Sequence, residues 1–217
     1  MFNVISGKMM CDSGNIILGD ENITFMPEHK RAAFIGRIFQ DPMKGTAPNL
    51  TVGENLIIAY MRSTKKNIMS VPSREEKNYI KEHLAALNLG LENRMNTKIG
   101  LLSGGQRQAV TLIMATLVKP GLLLLDEHTA ALDPKTAPKV LEITEQLIQA
   151  SNLTTMMVTH NMRDAIKYGN RLIMMHEGRI ILDINGEEKK KLTVEDLLER
   201  FGQASGEQFA NDRALLS

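Results

Sequence analysis

Two adjacent carboxylates, Asp126-Glu127, close the apolar run Leu122-Leu123-Leu124-Leu125. One carboxylate at such a strand end can hold Mg²⁺ through oxygen or water ligands, and its neighbour can polarise an attacking water. An acidic pair facing solvent would look the same in isolation. Upstream, Leu102-Ser103-Gly104-Gly105-Gln106-Arg107-Gln108 leads into the apolar stretch Ala109 to Val118. Backbone N–H groups at a helix start, two glycines that let a ligand reach the backbone, and a hydroxyl make an anion site. Ser103 alone also reads as a plain helix cap. His160 ends a second apolar run, Thr154 to Val158, where an imidazole could donate to phosphate or be a satisfied structural group. Gln40, in Ile38-Phe39-Gln40-Asp41-Pro42, is by itself a polar loop residue, and Asp133-Pro134 by itself a helix start.

The elements that position these residues alternate strand and helix. The run Leu122 to Leu125 reads as a strand buried on both faces. A helix follows, with Val140, Leu141, Ile143, Leu147 and Ile148 at a 3.6-residue period, and then the strand Thr154 to Val158. Strand, helix, strand in this order makes a βαβ crossover with the two strands parallel. Ligands bind at the carboxyl ends of such strands, where Asp126-Glu127 and His160 both fall. Arg171 to His176 and Arg179 to Ile184 flank Glu177-Gly178 and read as a hairpin closing the sheet. From about 50 to 100 the pattern is helical, Glu75 to Leu89 being its best amphipathic stretch, and from about 185 to 217 it is a polar helical tail. Lys189-Lys190-Lys191 reads there as a solvated face.

The order of the set carries more than its members. Gln40, Ser103-Gly104-Gly105-Gln106, Asp126-Glu127, Asp133 and His160 resemble the Q-loop, the signature, Walker B with its catalytic glutamate, the D-loop and the switch histidine of the ABC ATPase family. The resemblance covers essentially the whole chain. It implies an α/β fold, an ABC-type P-loop NTPase cassette with a mostly parallel sheet flanked by helices and an inserted helical subdomain at about 50–100. It implies ATP and Mg²⁺ as ligands. Asp126 would orient the metal, Gln40 would touch metal and water, Glu127 would position the water, and His160 would hold the γ-phosphate. Ser103, Gly104, Gly105 and Gln106 would close over nucleotide on an opposite subunit, and Asp133 would cross the interface. The implied partners are a second ATP-binding subunit, homo- or heterodimeric, membrane permease subunits coupled through the loop at about 42–60, and an extracytoplasmic solute-binding protein. The implied place is the inner face of the cell membrane, held there by the permease. In detail the chain is closest to importer subunits for amino-acid-like solutes. His128 stands where the family usually has proline, a departure expected to leave the chemistry alone.

One motif is missing from the set. Walker A needs Gly-x-x-x-x-Gly-Lys-Ser/Thr, whose amides cradle the phosphates while its lysine neutralises them. Gly7-Lys8 is followed by Met9, and Lys44-Gly45 has the wrong order. By resemblance, Phe2 to Gly7 matches the helix directly after Walker A, so the chain is expected to start inside that helix, without the preceding strand. An incomplete sheet, low stability and poor ATP binding are then expected of the chain alone. A late start codon, a gene fragment or a degenerate paralogue would each account for it.

Composition narrows the alternatives. The 217 residues, 43% of them hydrophobic, suit one domain, 1–217. Lys and Arg (26) balance Asp and Glu (25), so charge gives no support to nucleic-acid binding. A single cysteine, Cys11, and an N-terminus without a leader pattern point to a reducing cytoplasm. No apolar run has the roughly 18 residues needed to cross a bilayer. Two rival functions remain: a non-hydrolysing regulatory or partner cassette, and a non-transport ABC ATPase. The second is disfavoured because no long heptad run separates Gln40 from Ser103.

Overall fold

A computed structural model of the chain describes residues 1–63 and 72–205. In chain order its elements are α1 (Phe2–Ile5), β1 (Ile17–Leu18), β2 (Glu21–Asn22), α2 (Glu28–Arg31), β3 (Ile35–Ile38), α3 (Val52–Ser63), α4 (Arg74–Ala85) and α5 (Gly104–Thr116). They continue as β4 (Leu122–Asp126), α6 (Ala137–Ala150), β5 (Thr155–Val158), α7 (Met162–Lys167), β6 (Arg171–His176), β7 (Arg179–Asn185), α8 (Gly186–Lys190) and α9 (Val194–Ser205). Contacts group the chain into two compact units, Met1–Val158 and Thr159–Ser217.

The first unit is organised by a parallel sheet of order β3-β4-β5. Leu122 to Leu125 of the middle strand are all buried, as expected for a strand covered on both faces. The expected β4–α6–β5 crossover is present, with Leu125 paired to Met157 and Asp126 to Val158. On the other side Ile35 pairs with Leu122 and Ile38 with Leu125. The four residues of β3 escaped the sequence reading, because Gly36 and Arg37 break its apolar run. Gly36 is needed where it stands: a Cβ there would lie 2.8 Å from the Ala115 carbonyl oxygen.

Helix α5 joins two cores. Its Leu112 packs with Ile38, Leu123 and Leu125 against the sheet. Its Val110 and Ile113, with Leu117 just past its end, pack with Val52 and Leu56 of α3 and Ile80 and Leu84 of α4. A helix apolar on most of its circumference is buried on most of it. The helical segment is pinned at its base by Val52 N–H to Thr97 O (2.9 Å) and Ile99 N–H to Leu50 O (3.0 Å). Helix α4 starts on a capping box between Ser73 and Glu76. Buried Arg31 ties the N-terminal segment together, donating to the Met26, Val4, Ile5 and Thr24 carbonyls at 2.7–2.8 Å.

In the second unit, the Glu177-Gly178 turn has positive φ at both residues (46° and 78°), the geometry of a tight hairpin turn. The hairpin β6–β7 was expected to close the parallel sheet, but it forms a sheet of its own. Among the described residues β5 pairs only with β4, and β6 only with β7. Leu172, Ile184, Leu192 and Leu197 bury the inner face of the hairpin under α9. Lys189, expected to be solvated, is buried instead. Its ammonium donates to the Ile166 and Tyr168 carbonyls around the end of α7. Burial depresses its pKa, and the two carbonyls replace the water it loses. The expected tail is helical through α9, and residues 206–217 lie outside the described residues.

Candidate functional site

The carboxyl edge of the parallel sheet gathers three of the expected residues. Register sets Ile38 beside Leu125, so Gln40 and Glu127, each two residues further on, leave the sheet at the same level. Gln40 is exposed, whereas Asp126 and Glu127 are half-buried. Asp126 Oδ2 accepts from Arg37 Nη2 at 2.9 Å. The other end of that guanidinium donates to Asn3 Oδ1 (2.9 Å) and Ser6 Oγ (3.1 Å), which ties α1 to the acidic edge. Arg37 also lies over the Phe39 ring, 4.8 Å from its centroid. Sequence reading missed Arg37; a lone arginine in a strand otherwise facing a core was the available signal.

Glu127 has φ of 46°, in the left-handed region that non-glycine residues rarely occupy. Its backbone is held there by N–H donation to Val158 O (3.0 Å) and by acceptance from Ala130 N–H (2.9 Å). The next residue, His128, is buried, with Nε2 3.1 Å from Thr144 Oγ1. Thr144 spends its own proton on Val140 O (2.7 Å), so His128 must donate and carries its proton on Nε2. Burial pulls the His128 pKa down to about 4, so the ring is neutral near pH 7.

The second group sits at the start of α5. Ser103 caps the helix: its Oγ accepts from Gln106 N–H, and Gln106 Oε1 accepts from Ser103 N–H, both at 3.3 Å. Gln106 Oε1 also accepts from Arg94 Nη1 (3.0 Å), so this side chain is engaged in framing the turn. Arg107 donates to the Ile99, Gly100 and Leu102 carbonyls, holding the preceding turn beneath it. Ser103 and Gly104 are exposed and Gly105 is buried. As an acceptor toward Gln106, the Ser103 hydroxyl keeps its proton to donate outward. Exposed Asp133 accepts from Lys135 N–H (3.1 Å) and Thr136 N–H (3.0 Å). A hydrogen bond from the Thr136 side chain, helped by these amides, holds its carboxyl below the usual range.

His160 lies in the second unit, two residues beyond β5, and is exposed. Nearby Asp164 has its pKa raised by burial, against the opposing pull of Lys167. A cavity of about 220 Å³ lies beside the segment after Gln40, lined by Phe39, Pro42, Lys44, Gly45, Ile58 and Ala59 among others. No helix of the described residues is long and apolar enough to cross a membrane.

The family model for the ABC transporter matches residues 1–130. The chain belongs to the ABC transporter ATP-binding family. It is 45% identical to a tyrosine transport ATP-binding protein of Clostridioides difficile over 94% of this chain and 81% of that protein. It is 33% identical to the ABC transporter ATP-binding protein YxdL of Bacillus subtilis over 98% of this chain and 79% of that one. Among solved structures, the ADP form of the ATP-binding cassette MJ1267 matches with a TM-score of 0.73 and 26% identity, covering 92% of this chain and 81% of that one. The complete protein of such a subunit is an ATPase, and the α/β cassette fold expected from the sequence is the fold of these neighbours.

The donor chemistry suits a metal that arrives on nucleotide. No cluster of three or more His, Cys, Asp and Glu side chains able to hold an ion occurs among the described residues. Mg²⁺ bound through a single carboxylate, with substrate phosphates and water completing its octahedron, needs no such cluster, and Asp126 can supply that one ligand. For ATP, the first turn of α5 offers backbone N–H groups beside an exposed glycine and serine.

Proposed function

We propose that this chain is the ATP-hydrolysing subunit that powers solute import by a membrane ABC transporter, with residues 1–217 forming one cassette and about 50–100 its helical subdomain. The observation that carries this reading is the register that sets Gln40 level with Glu127 at the carboxyl edge of the sheet. In this reading Glu127 orients the hydrolytic water, Gln40 and Asp126 hold Mg²⁺ delivered with ATP, and His160 contacts the γ-phosphate. Ser103, Gly104 and Gly105, framed by Gln106, close over nucleotide on a second subunit, and Asp133 reaches across the same interface. The cavity beside Phe39 and Pro42 supports docking of a permease segment there, at the cytoplasmic face of the membrane, with an extracytoplasmic binding protein delivering solute. Identity to a tyrosine transport protein favours tyrosine or a related amino acid as that solute.

The 217 residues hold no Gly-x-x-x-x-Gly-Lys-Ser/Thr run, so by themselves they are expected to bind ATP weakly. The test is to join them to the strand and phosphate loop of a related cassette and measure turnover. The reading expects ATP hydrolysis that E127Q lowers by about a hundredfold or more. A joined protein that binds ATP and hydrolyses it no faster than its E127Q form contradicts it. A second reading is a non-hydrolysing partner cassette. That reading expects transport to depend on Ser103 of this chain while all turnover occurs in a complete partner.

A further inference from the structure

The two glycines of the signature face different neighbours. A Cβ built on Gly104 would lie 3.2 Å from Leu132 Cδ2, the tip of a flexible side chain. A Cβ on Gly105 would lie 2.1 Å from Thr136 Cγ2, well inside any allowed contact, with Val140 Cγ2 a further neighbour at 3.8 Å. The Thr136 methyl therefore occupies the space that any other residue at 105 would fill.

Thr136 has little freedom to withdraw. It is β-branched and stiff at χ1. It is the N-cap of α6 but makes no side-chain cap bond to its own helix. Its hydroxyl is turned to Asp133, and its N–H donates to Asp133 Oδ1 (3.0 Å) and to Asp133 O (3.0 Å). Rotating χ1 to clear a new methyl at 105 would take the hydroxyl away from Asp133. The backbone could move instead only by shifting α6, whose Val140 and Leu141 are buried.

We infer that Thr136 is a positioning residue: its methyl, seated in the gap left by Gly105, fixes the segment 132–136, and with it Asp133, against the first turn of α5. Gly105 then lacks a side chain because its own chain approaches there, whereas Gly104 is exposed and borders only a movable leucine. Whatever loads the start of α5 is thereby mechanically joined to Asp133. That Asp133 faces a second subunit rests on the proposed function; the contact through Thr136 does not.

The test uses the full chain and needs no nucleotide. Urea unfolding and the carboxyl titration of Asp133, followed by ¹³C NMR, are compared for wild type, G105A, T136S and G105A/T136S. T136S deletes the methyl and keeps the hydroxyl. G105A is expected to destabilise the chain and to raise the Asp133 pKa to the ordinary carboxylate value. Adding T136S is expected to recover at least about half of the lost stability, as coupled neighbours do, and to return the Asp133 titration to its wild-type position. A G105A loss that T136S leaves unrelieved overturns the inference. So does relief of stability with Asp133 titrating as in wild type throughout, since Thr136 would then pack without positioning. Should G105A fail to fold, T136S alone serves: a wild-type Asp133 titration in T136S overturns the inference, and a raised pKa, with the hydroxyl still present, upholds it. Either failure leaves the ATPase reading untouched, because neither measurement depends on hydrolysis.

Discussion

The carboxyl edge of the sheet and the start of α5, which in the proposed function share the nucleotide chemistry, are built by opposite means. At the sheet edge the ties are long-range and charged. Arg37 meets Asp126 across 89 positions of sequence, and Glu127 sits in a strained backbone beside a buried histidine. At the start of α5 the ties are local: Ser103 and Gln106 satisfy one another within a single turn. On the proposed function, a site that must place a water and a metal uses side chains fixed from several directions, at the cost of sensitivity to charge and pH. A site that only presents backbone N–H groups can be set by its own cap.

The largest expected contrast is in pH. His128, neutral when folded with a pKa of about 4, would titrate near 6.5 in the unfolded chain. The unfolded state therefore binds the proton first, and stability falls as pH drops from about 6.5 to 4, then levels. Urea unfolding is expected to show about 3 kcal/mol of loss over that window beyond any shared with H128N. An equal decline in H128N would assign the loss to other groups. S103A is expected to shift the whole curve and leave its pH slope alone.

A smaller effect follows from charge. R37M leaves a half-buried Asp126 without its guanidinium and releases Asn3 and Ser6, and should lower stability by about 2 kcal/mol in urea at constant m-value. R37K is expected to recover less than half of this, because an ammonium cannot reach both groups as a fork does. Full recovery by lysine would reduce the role of Arg37 to its charge. The smallest effect belongs to the local cap: S103A should cost about 1 kcal/mol, and S103G only a few tenths.

The same division explains what the sequence disclosed. The crossover through β4, α6 and β5 was legible because a continuous apolar run, a 3.6-residue period and a second run are local signals. So was the hairpin, marked by Glu177-Gly178, and the signature turn, whose cap partners lie three residues apart. What escaped is long-range. Strand β3 is too short and too interrupted at Gly36 and Arg37 to show a period. Lys189 reads as solvated until its ammonium is seen reaching carbonyls 21 and 23 positions away. His128 reads as an inconsequential replacement for proline because Thr144, its partner, lies a helix away. The signature glycines were read as letting a ligand reach the backbone; that a Cβ on Gly105 would also meet Thr136 Cγ2 shows only in the fold.

The division of labour is tested most directly by ATP turnover in mixed dimers of the cassette joined to a phosphate loop. One arrangement places E127Q on one subunit and S103E on the other; the second places both on the same subunit beside a wild-type partner. If Glu127 acts on its own subunit's nucleotide and Ser103 on the opposite one, the first arrangement keeps one intact site and about half of the turnover, and the second keeps none. Equal turnover in the two arrangements would contradict the account.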